Sequence, residues 1–193
     1  MEGTALVTGS STRVAEVGDA LERVGYTVTR VGEGDDVATA LASIAPRSLS
    51  CYVQLPRNTD VKGETLVERV SEFLRAGLLH RFEVMSQVIP LLGPEASVVL
   101  VAGNVPGAAT PDDRHARIDL LRVLARAVLA ECAGGEVRAV VVGYDRSADD
   151  IADIAFHRGD DTNLRKAALA SLDPDLPYAD WQREFLSLST TEE

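Results

Sequence analysis

The residues best placed to do chemistry lie early in the chain. Thr4-Ala5-Leu6-Val7-Thr8-Gly9 reads as a short buried strand ending in a Thr-Gly turn, and Ser10-Ser11-Thr12-Arg13-Val14-Ala15 runs on into an amphipathic helix. A strand, a tight turn and a helix N-terminus form the phosphate-binding end of a dinucleotide-binding βαβ unit, because backbone amides and the helix dipole converge there on an anion. The hydroxyls of Ser10, Ser11 and Thr12 and the backbone at Gly9 are suited to hold a phosphate. Arg13 adds charge, and Arg30 ends the second strand-like run, where a 2′-phosphate would lie. The further glycines that let a backbone approach a pyrophosphate are missing, and Arg13 and Ala15 hold their places. The same residues also read as an ordinary βα turn with exposed arginines.

Other reactive side chains are scattered. Tyr144 and Tyr52 are candidate proton donors, but a tyrosine without a lysine beside it keeps a pKa near 10 and serves poorly at pH 7. The only lysines are Lys62 and Lys166. His80, His115 and His157 have neither helical partners nor neighbouring cysteines, so no metal site is expected. Asp112-Asp113 and Asp149-Asp150 stand at helix starts, where carboxylates cap. Cys51 and Cys132 have no metal spacing and read as reduced, packed thiols.

The elements that must position these groups follow from the apolar pattern. Strand-like runs cover Thr4–Thr8, Tyr26–Val31, Leu49–Leu55, Ser97–Ala102 and Val137–Val142, with the near-continuous apolar character of a parallel sheet buried on both faces. Helical patterns fall between and after them, at Val14–Val24, Asp35–Ile44, Thr65–Leu92, Asp112–Cys132 and Asp149–Phe156. Gly25 ends the first helix, Asp35 caps the second and Pro46 stops it. Alternation of strand and helix predicts an α/β fold, Rossmann-like and doubly wound: a mainly parallel sheet of about five strands in a three-layer αβα sandwich. Residues 1–160 are expected to form this domain and 161–193 a helical tail.

The 193 residues suffice for one sizeable core, and 46% apolar content is ordinary for a globular protein. A formal charge of −11 argues against nucleic acid and against a polybasic membrane surface. No basic region followed by an apolar stretch opens the sequence, and no run approaches the length of a membrane span, so a cytoplasmic location is expected.

In order, Thr8-Gly9, Tyr52-Val53-Gln54-Leu55-Pro56, Val88-Ile89-Pro90-Leu91-Leu92, Ser97-Val98-Val99-Leu100-Val101, the helix Leu124–Glu131 and Val137–Tyr144 resemble successive segments of the short-chain dehydrogenase/reductase (SDR) family. The resemblance spans roughly residues 4 to 145. It implies a catalytic Tyr, Lys, Ser and Asn. Aligned through the adjacent motifs, those places hold Arg114, Ile118, Gly103 (with Asn104 beside it) and Gly77. There is no Tyr-x-x-x-Lys anywhere. Between the second strand and the Cys51 strand only one helix is predicted, so the strand that the family places there, with its adenine-binding Asp, is missing.

The resemblance therefore implies a degenerate, truncated SDR: a catalytically inactive protein serving as an assembly or partner subunit, without a bound cofactor. Its partner would be a second copy or an active SDR-type subunit. Two other readings stay open. One is an NAD(P)-dependent oxidoreductase with relocated acid–base residues. The other is a sensor for a nucleotide or acyl-thioester. In the family, the long third helix and the fourth helix form the subunit interface, which places Phe82, Arg114, Arg117, Leu121 and Arg122 at a candidate contact. In the tail, Trp181 and Phe185 share a helical face that either docks on its own domain or grips a partner.

Overall fold

In the computed structural model, residues 3–57, 79–103, 111–132, 136–143 and 146–156 are described, with residues 64, 65, 67, 68, 71, 75 and 77; at 11 and 111–117 only the backbone is. The elements in chain order are β1 (Gly3–Thr8), α1 (Ser11–Arg23), β2 (Tyr26–Val31), α2 (Val37–Ala42), β3 (Leu49–Gln54), α3 (His80–Val88), a 3₁₀ turn (Ile89–Leu91), β4 (Leu92–Val101), α4 (Pro111–Glu131), β5 (Arg138–Val142) and α5 (Ala148–Phe156). The expected tail lies outside the described residues.

The five strands form one sheet in the order β2-β1-β3-β4-β5, and every neighbouring pair is parallel. Deleting the outermost strand from the six-stranded Rossmann order 3-2-1-4-5-6 yields this arrangement. Residues 32–48 contain α2 and no strand, so β2 is the edge strand. The strand missing from the sequence pattern is missing from the sheet.

Side-chain alternation divides the core in two. Ala5, Val7, Cys51, Val53, Val99 and Val101 face α1 and α5, meeting Val17, Leu21, Ile151 and Ala155. Leu6, Tyr52, Val98 and Leu100 face α2, α3 and α4, meeting Leu41, Met85, Val88, Leu124 and Val128. Both faces are therefore covered, as the unbroken apolar runs required.

Several boundaries differ from the sequence pattern. Asp36, not Asp35, caps α2 by accepting from Ala38 N at 3.0 Å, while Asp35 accepts from Gly32 N at 2.7 Å. The third helix stops at Val88, because Pro90 has no N–H for the helical ladder. Leu92 accordingly begins β4 rather than ending the helix, and the strand starts five residues before Ser97. At the start of α5, Asp150 N donates to Ser147 Oγ at 3.0 Å and Asp150 Oδ2 accepts from Ser147 N at 3.3 Å, a reciprocal cap of the kind expected there.

Candidate functional site

In a doubly wound sheet, ligands bind outside the carboxyl ends of the strands, where the chain reverses its direction of travel along the sheet. Here that point lies between β1 and β3. A small cavity of ≈ 20 Å³ sits there, lined by the ends of β1, β2 and β3 and the start of α3. It has room for about one water and falls far below the several hundred Å³ of a usual ligand pocket.

Backbone hydrogen bonds close the turn after β1. Gly9 N donates to Val31 O at 3.1 Å and Ser10 N to Pro56 O at 3.1 Å, while Leu55 N donates to Thr8 O at 2.8 Å. Two amides that open the expected phosphate loop thus hold the turn to its neighbours instead. Gly9 is required by geometry: its φ is +140°, and a Cβ there would lie 2.6 Å from Leu55 Cβ and 2.7 Å from Leu55 O. The helix begins at Ser11, so Arg13 and Ala15 already belong to it. Thr12 is exposed, and of Ser11 only the backbone is described.

The two arginines expected near a cofactor point elsewhere. Arg13 donates to Glu16 at 3.3 Å and to the carbonyl of Arg146, tying α1 to the loop before α5. Arg30 lies on the same strand face as Tyr26 and Val28, the α1 side, where it bonds Asp19 at 2.8 Å and Glu22 at 2.7 Å. Those carboxylates raise its pKa, and Arg30 in turn lowers that of Glu22 through their hydrogen bond. The expectation of Arg30 at a 2′-phosphate is corrected by the period of two along β2: Val31, not Arg30, lines the cavity. Neither Arg13 nor Arg30 lines the cavity.

The proton-donor candidates fare differently. Tyr144 lies outside the described residues. Tyr52 is fully buried, its hydroxyl 2.9 Å from Thr8 Oγ1, and burial pushes its pKa up to about 12. A hydroxyl sealed inside the sheet's core has no path to a substrate.

Of the places that the SDR tetrad would occupy, Ile118 packs partly buried against the core of its own domain, and Gly103 follows the end of β4. Gly77 is described singly and Arg114 by its backbone alone, while Asn104 lies outside the described residues.

What the sequence pattern missed is the group that fills the site. Arg81 on α3 is 7% exposed. Its Nε donates to Gln54 Oε1 at 3.0 Å, one terminal nitrogen to Val101 O at 2.9 Å and the other to Gln54 O at 3.0 Å. Gln54 Nε2 donates back to Arg81 O at 3.0 Å. One guanidinium therefore clamps the carboxyl ends of β3 and β4 together. Burial pulls its pKa down to about 10, still far from pH 7. Beside it, Arg57 donates to His80 Nε2 at 2.6 Å. Burial and then the Arg57 charge lower the His80 pKa, favouring the neutral ring. A signal was available: Arg81 shares helical spacing with the buried Val84, Met85 and Val88, so it stood at a core position.

Among the expected interface residues, Phe82 is partly buried against the core and Arg122 pairs with Asp119 at 3.0 Å on its own helix. Leu121 is corrected: it is 2% exposed, on the stripe that α4 buries with Leu124 and Val128, so it offers no surface to a partner. The side chains of Arg114 and Arg117 are not described, and Trp181 and Phe185 lie outside the described residues. No group of three metal-ligating side chains occurs among the described residues. None of the described helices is long and apolar enough to cross a membrane.

No protein-family model matches the sequence, and no curated protein matches it. Solved structures do. A protein described as a short-chain dehydrogenase/reductase from Corynebacterium glutamicum aligns with TM-score 0.52 at 17% identity, over 81% of this chain and 93% of its own. One described as an SDR-family oxidoreductase from Aeromonas hydrophila subsp. hydrophila aligns with TM-score 0.55 at 16% identity over the same shares. A doubly substituted variant of a Serratia marcescens short-chain dehydrogenase/reductase aligns with TM-score 0.54 at 15% identity, over 84% of this chain and 91% of its own. The fold is thus the Rossmann-like α/β fold of the short-chain dehydrogenases/reductases.

Proposed function

We propose that this chain is a catalytically inactive SDR-like protein that serves as an assembly or partner subunit. The outward face of α4 carries this reading. Leu120 and Val123 are 38% and 55% exposed there, and Ala127 and Ala130 continue the same face at helical spacing. The inner stripe of α4 already fills the core, so a second apolar stripe on the same helix is surface suited to a contact. Arg122 and Arg126 flank it, as a polar rim flanks a contact.

Inactivity is supported by the residues at the tetrad's places. Arg114, Ile118, Gly103 and Gly77 stand in the tetrad's places, and Tyr52 is sealed in the core. The partner is another SDR-type subunit, either a second copy or an active dehydrogenase.

Light scattering on the purified chain, and affinity capture from the native cell, test the proposal. A dimer or a co-purifying dehydrogenase is expected, lost when Leu120 and Val123 are both changed to Glu. A monomer that captures no dehydrogenase would count against it, as would tight NADH or NADPH binding by calorimetry.

A further inference from the structure

The cavity between β1 and β3 has an unusual electrostatic character for a protein of formal charge −11. Arg57, His80 and Arg81 line it, and no Asp or Glu does. No carboxylate of the described residues forms an ion pair with Arg57 or Arg81. Glu83, an exposed residue outside the lining, has its Oε2 3.8 Å from His80 Nδ1. A guanidinium carries five N–H donors, and Arg81 commits three to protein oxygens. Burying a charge without a counter-charge opposes folding, so a buried cation in a cleft marks a place where an anion would be favourable.

We propose that this cavity binds the phosphate dianion of a small ligand, either free inorganic phosphate or the terminal group of a phosphomonoester, through Arg57 and Arg81. Two guanidiniums match a dianion; a carboxylate would leave one of them uncompensated. The space of ≈ 20 Å³ admits about one phosphate oxygen beside Gly9, with the rest of the group in the open mouth. It does not admit a nucleoside. The cations come from the segment after β3 and from the start of α3, whereas the β1–α1 turn contributes only the Thr8-Gly9 rim and Arg30 does not line the cavity. It is also independent of the α4 surface, so failure here leaves the partner proposal standing.

The test is calorimetry on the full chain at constant ionic strength with inorganic phosphate, glycerol 3-phosphate and acetate. Saturable phosphate binding with a Kd below about 1 mM is expected. Arg57→Gln should weaken it by about tenfold or more. Arg30→Gln, whose arginine is held on the other face by Asp19 and Glu22, should leave it unchanged. Tighter binding of glycerol 3-phosphate than of phosphate identifies a phosphorylated metabolite as the ligand; equal or weaker binding identifies the free anion. The proposal is overturned if neither phosphate compound saturates, if acetate binds as well as phosphate, or if a folded Arg57→Gln retains wild-type affinity.

Discussion

On the side of the sheet covered by α1 and α5, three arginines meet oxygens of their own chain. Arg13 reaches Glu16 and the Arg146 carbonyl, Arg23 reaches Asp149 at 2.5 Å, and Arg30 reaches Asp19 and Glu22. At the carboxyl end on the α2–α3 side, Arg81 is buried against carbonyls and an amide, and Arg57 lies half-buried against an imidazole. The residue type is the same and its role is opposite. Exposed pairs on the first side contribute little, because water and salt already screen them. The buried guanidinium holds two strand ends in place and, among the described residues, is paired with no carboxylate, which is why an anion site is proposed on the second side.

The largest test strikes where the two sides meet. Gly9→Val should destabilise the fold by on the order of 4 kcal/mol, since a side chain there combines an unfavourable φ with a clash against Leu55 backbone that cannot swing aside. Urea unfolding measures it, and a loss under ~1 kcal/mol would mean that the turn is looser than described. Next comes the direct contrast. Arg81→Ala should cost about 3 kcal/mol, from orphaned carbonyls at Gln54 and Val101 and a vacated core position, whereas Arg30→Ala should cost under ~1 kcal/mol. Equal losses in the two unfolding curves would erase the distinction between the sides.

An effect smaller than the loss of Arg81 appears in alkali. Burial raises the Tyr52 pKa from 10 to about 12, so its contribution is complete below pH 10 and is lost as pH rises from 10 to 12. Burial lowers the Arg81 pKa from 12.5 to about 10, so its charge opposes folding below pH 10 and that penalty is relieved above it, the opposite slope. Subtracting the pH–stability curve of Tyr52→Phe from that of the wild type isolates the tyrosine: a fall of about 2 kcal/mol between pH 10 and 12. A flat difference would place the hydroxyl in contact with solvent.

Much of the architecture was legible in the chain. Gly25 does turn α1 into β2, and the five apolar runs became the five strands of a parallel sheet. The absent strand could be read from residues 32–48, because a segment that short leaves room for one crossover helix. The site was legible only in part. Thr8-Gly9 marked the correct end of the correct strand, yet Ser10 and Arg13 suggested a phosphate loop whose amides are in fact spent on Pro56 and Val31. Arg30 stands near the end of β2, as its position in the chain implies, but the pleat turns it to the α1 side. Arg57 and His80 are 23 residues apart, and nothing local joins them.

Sequence by itself determined the layers, the order of elements, the lack of a strand between β2 and β3 and the lack of any Tyr-x-x-x-Lys, because these depend on hydrophobic period, chain length and residue identity. Only the tertiary structure decided which arginines are answered and which are not. That outcome depends on strand face and on contacts between residues distant in the chain. Thr8-Gly9 ends up less a loop for a cofactor than the rim of a cavity whose charge comes from a helix more than seventy residues further on.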